Sequence, residues 1–256
     1  MSVLVEPCIG EAPPAPLAGW QLHELDETDS TNARAARLGP WEAVVARVQT
    51  AGRGRHARRW ISDAGGLWLS AVVPATGPAP RWQLLPLAAG CAVCETLVEM
   101  GVAEPRLRWP NDVMMGRAKL AGILVERFTD TTAVIGLGVN FDNHPETLDP
   151  ALAGAVTRLA DLLHPLPDRT DLRNRLLARL RALHALLAEG RTEQLIARLQ
   201  PYWRPHRVRV TLRPATNTLE GEFAGVDAAG RFGMRTVPDG LRWLAPADVE
   251  MLREIF

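Results

Sequence analysis

The sequence predicts an α+β fold in two units, a larger one that mixes strands with helices and a small C-terminal one made only of strands. Three observations carry this. Apolar runs of strand length alternate with helical patterns over the first two-thirds of the chain. Two Leu/Ala/Arg-rich stretches follow, Leu159 to Leu163 and Asp171 to Leu199, and both read as helices. After Pro205 the apolar segments become short and are separated by turn residues.

In chain order, Trp20 to Leu25 alternates weakly and predicts a strand. Asp29 and Ser30 offer N-caps for a short helix through Leu38, ended near Gly39-Pro40. Ala43 to Gln49 reads as a buried strand, Thr50 to Ser62 as a Gly/Arg loop, and Leu67 to Val73 as another strand. Arg81 to Met100 is a long apolar helix. Arg106 to Trp109, Val113 to Met115, Ala118 to Phe128 and Thr132 to Phe141 are strands, with tight turns at Gly116-Arg117 and Thr129-Asp130. Beyond Pro205, Val208 to Leu212, Leu219 to Val226, Phe232 to Thr236 and Leu241 to Leu244 are short strands. Asp227 to Gly230 and Pro238 to Gly240 are turns between them. About 50 residues of barrel-forming strand is a size that needs a neighbour for support.

Composition narrows the function. The 256 residues are 47% hydrophobic with zero net charge, which argues against a general nucleic-acid or membrane-surface binder. No run of about 18 apolar residues predicts a membrane span. Three cysteines, Cys8, Cys91 and Cys94, form no disulfide framework and point to a reducing compartment. Cys91 and Cys94 lie on an apolar helix and read as buried structural thiols. Met1 to Pro16 has no basic residue before an apolar stretch, so it reads as a loose leader rather than a secretory signal. Lysine and arginine total 29, yet Lys119 is the one lysine. Arginine is a planar fork and lysine a compact ammonium on a flexible stem, so a lone lysine in this background is either a solvated survivor or a position that needs the smaller cation.

Four constellations can carry chemistry. Gln49-Thr-Ala-Gly52-Arg53-Gly54-Arg55-His-Ala-Arg58-Arg59-Trp60 combines backbone N–H groups that can cradle an anion with bidentate cations. It lacks the Gly-Lys-[Ser/Thr] end of a P-loop. Arg108-Trp109-Pro110-Asn111-Asp112 precedes Lys119-Leu-Ala-Gly122-Ile-Leu-Val-Glu126. Asp112 can hold Mg²⁺ through oxygen, although Pro, Asn and Asp also make ordinary turns. Asp29-Ser30-Thr31-Asn32 can read a polar head group or simply cap a helix. Ile135-Gly136-Leu-Gly138-Val-Asn140 has two glycines of a dinucleotide fingerprint but neither the third nor the strand–helix context.

In this order, and with the C-terminal Gly225 to Gly230 turn and final Leu252-Arg253, the motifs resemble the biotin protein ligase family from about Trp20 to Arg253. The resemblance implies a class II synthetase-like catalytic domain over residues 19–204, with a mixed sheet and flanking helices. It implies an SH3-like β-barrel over 205–256, after a leader of 1–18. Ser30, Thr31, Asn32 and Gln49 would hold biotin's ureido ring. Gly52, Arg53, Gly54, Arg55 and Trp60 would form the loop over biotin and the adenylate. Lys119, beside Gly122, would meet the carboxyl–phosphate junction, with Arg53 and Arg55 as further catalytic cations. Asn111, Asp112 and Asn140 would serve the nucleotide, and Asp112 the Mg²⁺. The implied activity makes biotinyl-5′-AMP from biotin and ATP, then biotinylates a carboxyl carrier protein in the cytoplasm.

Two departures from the family pattern stand out. Arg108 replaces a lysine, and His56-Ala57 falls where the family has glycine, which would stiffen the loop. Only 28 residues precede Asp29, fewer than a winged helix-turn-helix needs, so no DNA partner is expected. A homodimer stays open. The rivals are a lipoate or octanoate ligase or transferase, and a non-catalytic RNA-binding module built on Arg53 to Arg59.

Overall fold

The computed structural model describes residues 17, 19–203, 207–214 and 217–255. The expected leader lies outside these, apart from residue 17, as do residues 204–206 at the expected domain boundary.

The larger part begins with β1 (Gln21–Thr28), α1 (Thr31–Ala35), β2 (Glu42–Gln49) and β3 (Leu67–Pro74). It continues through α2 (Ala79–Trp82), α3 (Leu85–Glu99), β4 (Arg106–Arg108), β5 (Asp112–Met115), β6 (Ala118–Glu126) and β7 (Thr132–Val139). Then come α4 (Pro145–Leu148), α5 (Arg169–Ala188) and α6 (Thr192–Leu199). Seven strands form one mixed sheet in the order β1-β2-β3-β7-β6-β5-β4. Only β1 and β2 run parallel; the other neighbours are antiparallel.

The sheet is covered on two faces. On one, α3 and α5 pack over β3, β6 and β7, and α6 joins them. Leu85, Leu87, Cys91, Cys94 and Leu97 of α3 are buried there, so the two thiols are core groups, and burial pushes both up. On the other face α1 packs on β2, β3 and β7, with Ala35, Val44, Val72 and Val134 in a second, smaller cluster. Covering both faces explains why Leu67 to Val73 is buried at every position rather than alternating.

Two expected long helices are each broken. Arg81 to Met100 divides at Gln83-Leu84, and the second piece restarts with Pro86 in its first turn, where a missing N–H costs nothing. Asp171 to Leu199 divides at Gly190 (φ 74°). The N–H of Gly190 donates to Leu187 O (3.0 Å) and that of Arg191 to Leu186 O (2.8 Å), a glycine-terminated helix end. Leu159–Asp161 forms only a single 3₁₀ turn.

The C-terminal part contains β8 (Arg207–Leu212), β9 (Thr218–Val226), β10 (Phe232–Thr236), β11 (Gly240–Leu244) and β12 (Val249–Ile255). They form a second, antiparallel sheet in the order β11-β10-β9-β8-β12. The sequence did not predict β12. Its register shifts between Val249 and Met251, so Glu250 is an extra residue and the buried positions, Val249 and Leu252, are three apart. This bulge breaks the alternation by which a strand is recognised. The small sheet shares the main core: Trp109 Nε1 donates to Gly230 O at 2.9 Å, and the Trp109 and Phe232 rings lie 5.3 Å apart. That contact is the support a unit this small needs.

Candidate functional site

A cavity of about 500 Å³ opens on the α1 face, between the main sheet, the Gly/Arg segment and β12. At one end the polar groups of α1 meet the sheet. Ser30 caps α1, and Ser30, Thr31 and Asn32 are all buried. Gln49 ends β2, and its Oε1 accepts from the Thr31 N–H (2.8 Å) and hydroxyl (3.0 Å) while its Nε2 donates to Ser62 Oγ (2.8 Å). Asn32 Nδ2 donates to Glu126 Oε2 at 2.7 Å. Ser70 Oγ lies 2.7 Å from Thr31 Oγ1 and 2.6 Å from Asn32 Oδ1, and its single proton serves one of them. Ser62, Ser70 and Glu126 were not among the expected site residues. A hydroxyl inside the apolar run Leu67 to Val73 was the available signal.

The glycines of β6 and β7 make room for this arrangement. A Cβ on Gly136 would come within 2.3 Å of Asn32 Oδ1, and one on Gly138 within 2.5 Å of Trp60 Nε1. Gly122 does the same under the Trp60 ring, at 2.9 Å. The two glycines that resembled a dinucleotide fingerprint therefore serve close packing. Gly52 differs from the expectation for it. It lies outside the cavity wall, and a Cβ there would meet Ser62 Oγ and Trp60 O at 2.5 Å. It lets the neck of the loop close.

The Gly/Arg segment is a hairpin-like flap. Arg53 bridges Arg59, the Gly54 N–H donates to Arg58 O (2.7 Å), and the Trp60 N–H donates to Gly52 O (2.9 Å). At its tip His56 (φ 56°) and Ala57 (φ 58°) both hold the left-handed conformation. That costs a side-chain-bearing residue about 1–2 kcal/mol. Arg55 Nη2 donates to Pro246 O (2.7 Å) and its Nη1 to Asn111 Oδ1 (3.4 Å). Burial lowers the Arg55 guanidinium from its ordinary value, and Asp112 offsets part of that. Burial also lowers the His56 imidazole, with Arg55 and Arg213 adding to the effect.

At the cationic end Lys119 and Asp112 face each other across β5 and β6. Lys119 Nζ is 2.6 Å from Asp112 Oδ1, Arg108 Nη2 is 2.7 Å from Asp112 Oδ2, and Lys119 Nζ sits 4.7 Å from the centre of the Trp60 ring. Burial alone would raise the Asp112 carboxyl; Lys119 and Arg108 outweigh it and hold it below the usual carboxylate range. The Lys119 backbone is fixed from outside the sheet. Its N–H donates to Ala155 O (2.9 Å) and its carbonyl accepts from the Thr157 N–H (3.0 Å). Asn140 Nδ2 donates to Thr157 O (3.1 Å), so Asn140 braces this clamp. Asn111 is tied to β6 through its Nδ2 and Ile123 O (2.9 Å).

Asp112 does not fit the expectation of a Mg²⁺ ligand. Both carboxylate oxygens are engaged by cations. Leu148, Leu152 and Val156, which the sequence did not single out, form an apolar wall near Lys119, and Val249 to Leu252 of β12 close another side.

Residues 26–142 match the model of the biotin/lipoate A/B protein ligase family. Over 240 residues the chain is 39% identical to the biotin–[acetyl-CoA-carboxylase] ligase of Mycobacterium tuberculosis, covering 86% of this chain and 87% of that one. The chain belongs to the biotin protein ligase family. Another relative, the bifunctional ligase/repressor BirA of Bacillus subtilis, is 28% identical over 91% of this chain and 74% of its own length. Among solved structures, the biotin protein ligase of Aquifex aeolicus in complex with biotin and ATP superposes with a TM-score of 0.77 at 25% identity, covering 92% of this chain and 99% of that one. In this ligase family member, every expected site residue except Gly52 lies on the cavity wall.

Proposed function

We propose that this chain is an ATP-dependent biotin–protein ligase that forms biotinyl-5′-AMP and passes the biotinyl group to a lysine of a carboxylase's carrier protein. One observation carries the reading: a single cavity joins a buried amide-and-hydroxyl end to a cationic end. A neutral cyclic urea needs donors and acceptors in fixed places, and Ser30, Thr31, Asn32 and Gln49 supply that end. The carboxylate of the same ligand reaches toward Lys119 and Arg55, while Arg53 pairs with Glu126 at the amide end (Nη2 to Oε2, 3.4 Å).

The chemistry follows from charge. The biotin carboxylate attacks the α-phosphorus of ATP and pyrophosphate leaves. Two anions meet in that step, and preorganised cations at the junction favour the transition state. The carrier's lysine amine then attacks the mixed anhydride and AMP leaves. The flap from Arg53 to Trp60 covers the anhydride and limits its hydrolysis. Leu148, Leu152 and Val156 offer a flat apolar wall to the adenine. Asn111, directly before β5, and Asn140, directly after β7, position this end.

The domain division at about 204 and the SH3-like form of the C-terminal sheet belong to the same reading. So does a cytoplasmic location. No helix among the described residues is long and apolar enough to cross a membrane. Biotin-dependent exchange of labelled pyrophosphate into ATP is the deciding experiment. Exchange with biotin supports the reading, exchange only with lipoate moves the substrate to the rival, and no exchange with either refutes it.

A further inference from the structure

The flap is tied to the C-terminal sheet through one carboxylate. Glu250 Oε1 accepts from Arg58 Nη2 at 2.9 Å, and Glu250 Oε2 lies 2.8 Å from Arg213 Nε. Arg58 belongs to the flap, while Arg213 directly follows β8 and its N–H donates to Asp248 O at 2.9 Å. Glu250 is also the unpaired residue of the β12 bulge, between Val249, which faces Leu212, and Met251, which faces Thr211. A bulge re-aims a side chain that a regular strand would place by alternation, and bulges gather beside functional sites. Here the re-aimed carboxylate meets the flap beside the cavity.

The energetics suit a latch that opens. Arg58 and Arg213 are about half exposed, and ion pairs of that kind are weak and salt-sensitive. The flap's tip meanwhile holds two consecutive left-handed residues, His56 and Ala57, a conformation that persists only where surrounding contacts impose it. Besides the hairpin's own hydrogen bonds, those contacts include Arg58 to Glu250 and Arg55 to Pro246.

We infer that Glu250 is a positioning residue: through Arg58 it holds the flap over the acyl-adenylate, and with Arg213 it makes retention of that intermediate depend on the C-terminal sheet. This rests on the ligase reading for its consequence but not for its geometry, so two readouts separate them. The first needs no ligand. In the full-length protein, Glu250→Gln should speed hydrogen exchange of the Gly54 and Trp60 amides about three- to tenfold, the scale of losing one or two half-exposed ion pairs. Arg213→Ala, which lies off the cavity wall, should act in the same direction by a smaller factor. The second readout is escape of preformed biotinyl-5′-AMP. It should accelerate by a similar factor in Glu250→Gln, with KM for biotin rising more than kcat falls. It should become faster with salt in the parent but less so in the variant. Unchanged flap exchange in both variants at an unaltered Tm would overturn the inference. So would faster flap exchange with parental escape of the adenylate. A parent chain that forms no adenylate would sink the ligase reading, while the exchange measurement still decides the latch.

Discussion

Lys119 Nζ and Asp112 Oδ1 are 2.6 Å apart, a pair formed across two adjacent antiparallel strands where the register shifts between Val113 and Met114. Arg108 holds the carboxylate's other oxygen. The carboxylate thus fixes an ammonium and a guanidinium side by side at the cationic end of the cavity. Lys119→Ala should cut adenylate formation about 10²–10³-fold, the scale of losing one preorganised donor. Lys119→Arg should also fail, because the wider fork must displace the Trp60 ring 4.7 Å away. Pyrophosphate exchange measures both, and near-normal rates in both would remove Lys119 from the reaction.

Gly138 is predicted to be intolerant of a single methyl. Its Cβ would approach Trp60 Nε1 to 2.5 Å, and the ring also rests over Gly122. Overpacking of this kind costs about 1–3 kcal/mol. Gly138→Ala should therefore weaken biotin binding by about tenfold or more, as titration calorimetry would show. Parental affinity would mean that Trp60 has no part in the biotin pocket.

Ala57→Gly should relieve the flap's tip. Ala57 holds φ 58°, where a Cβ is penalised and glycine is not. After allowing for glycine's greater freedom in the open loop, the closed flap should gain about 0.5–1 kcal/mol. Slower exchange of the flap amides is the expected sign. Faster exchange would show that the left-handed tip is not what limits closure.

Stability should fall in mild acid because of His184. The ring stacks on Trp82, meets Trp41 edge-on and donates from Nε2 to Pro74 O at 2.7 Å. Burial lowers its pKa, and Arg181 adds to this, though the Pro74 carbonyl works the other way. The unfolded chain therefore binds the proton first. The contribution is present above the ordinary histidine value of about 6.5 and is lost as pH falls through it. Urea midpoints between pH 7.5 and 5, roughly the span over which a histidine titrates, should drop more steeply in the parent than in His184→Gln. Parallel slopes would refute the assignment.

Lys119, Arg53, Arg55, Trp60 and the Asp29 to Asn32 element were legible in the sequence because their residue types and order are unusual. The single lysine began as a compositional oddity with a bland alternative, and its ion pair and aromatic neighbour give it a place at the cationic end. The alternating and apolar runs likewise determined most strands, since burial on one or two faces leaves a local imprint. Other features leave no such imprint. The ends of α2 and α5 depended on Pro86 and Gly190 within apolar stretches that read as continuous. Asp112 offered oxygen to a metal in the sequence, and only the approach of Arg108 and Lys119 from neighbouring positions filled it. Ser70 and Glu126 joined the polar end through contacts of 38 and 94 residues' separation. β12 and its bulged Glu250 reached the flap from 192 residues away. The sequence by itself determined most of the elements and which side chains could bear the chemistry. The tertiary structure alone decided which carboxylates neutralise which cations, because ion pairing depends on distances of a few ångströms that chain order does not encode.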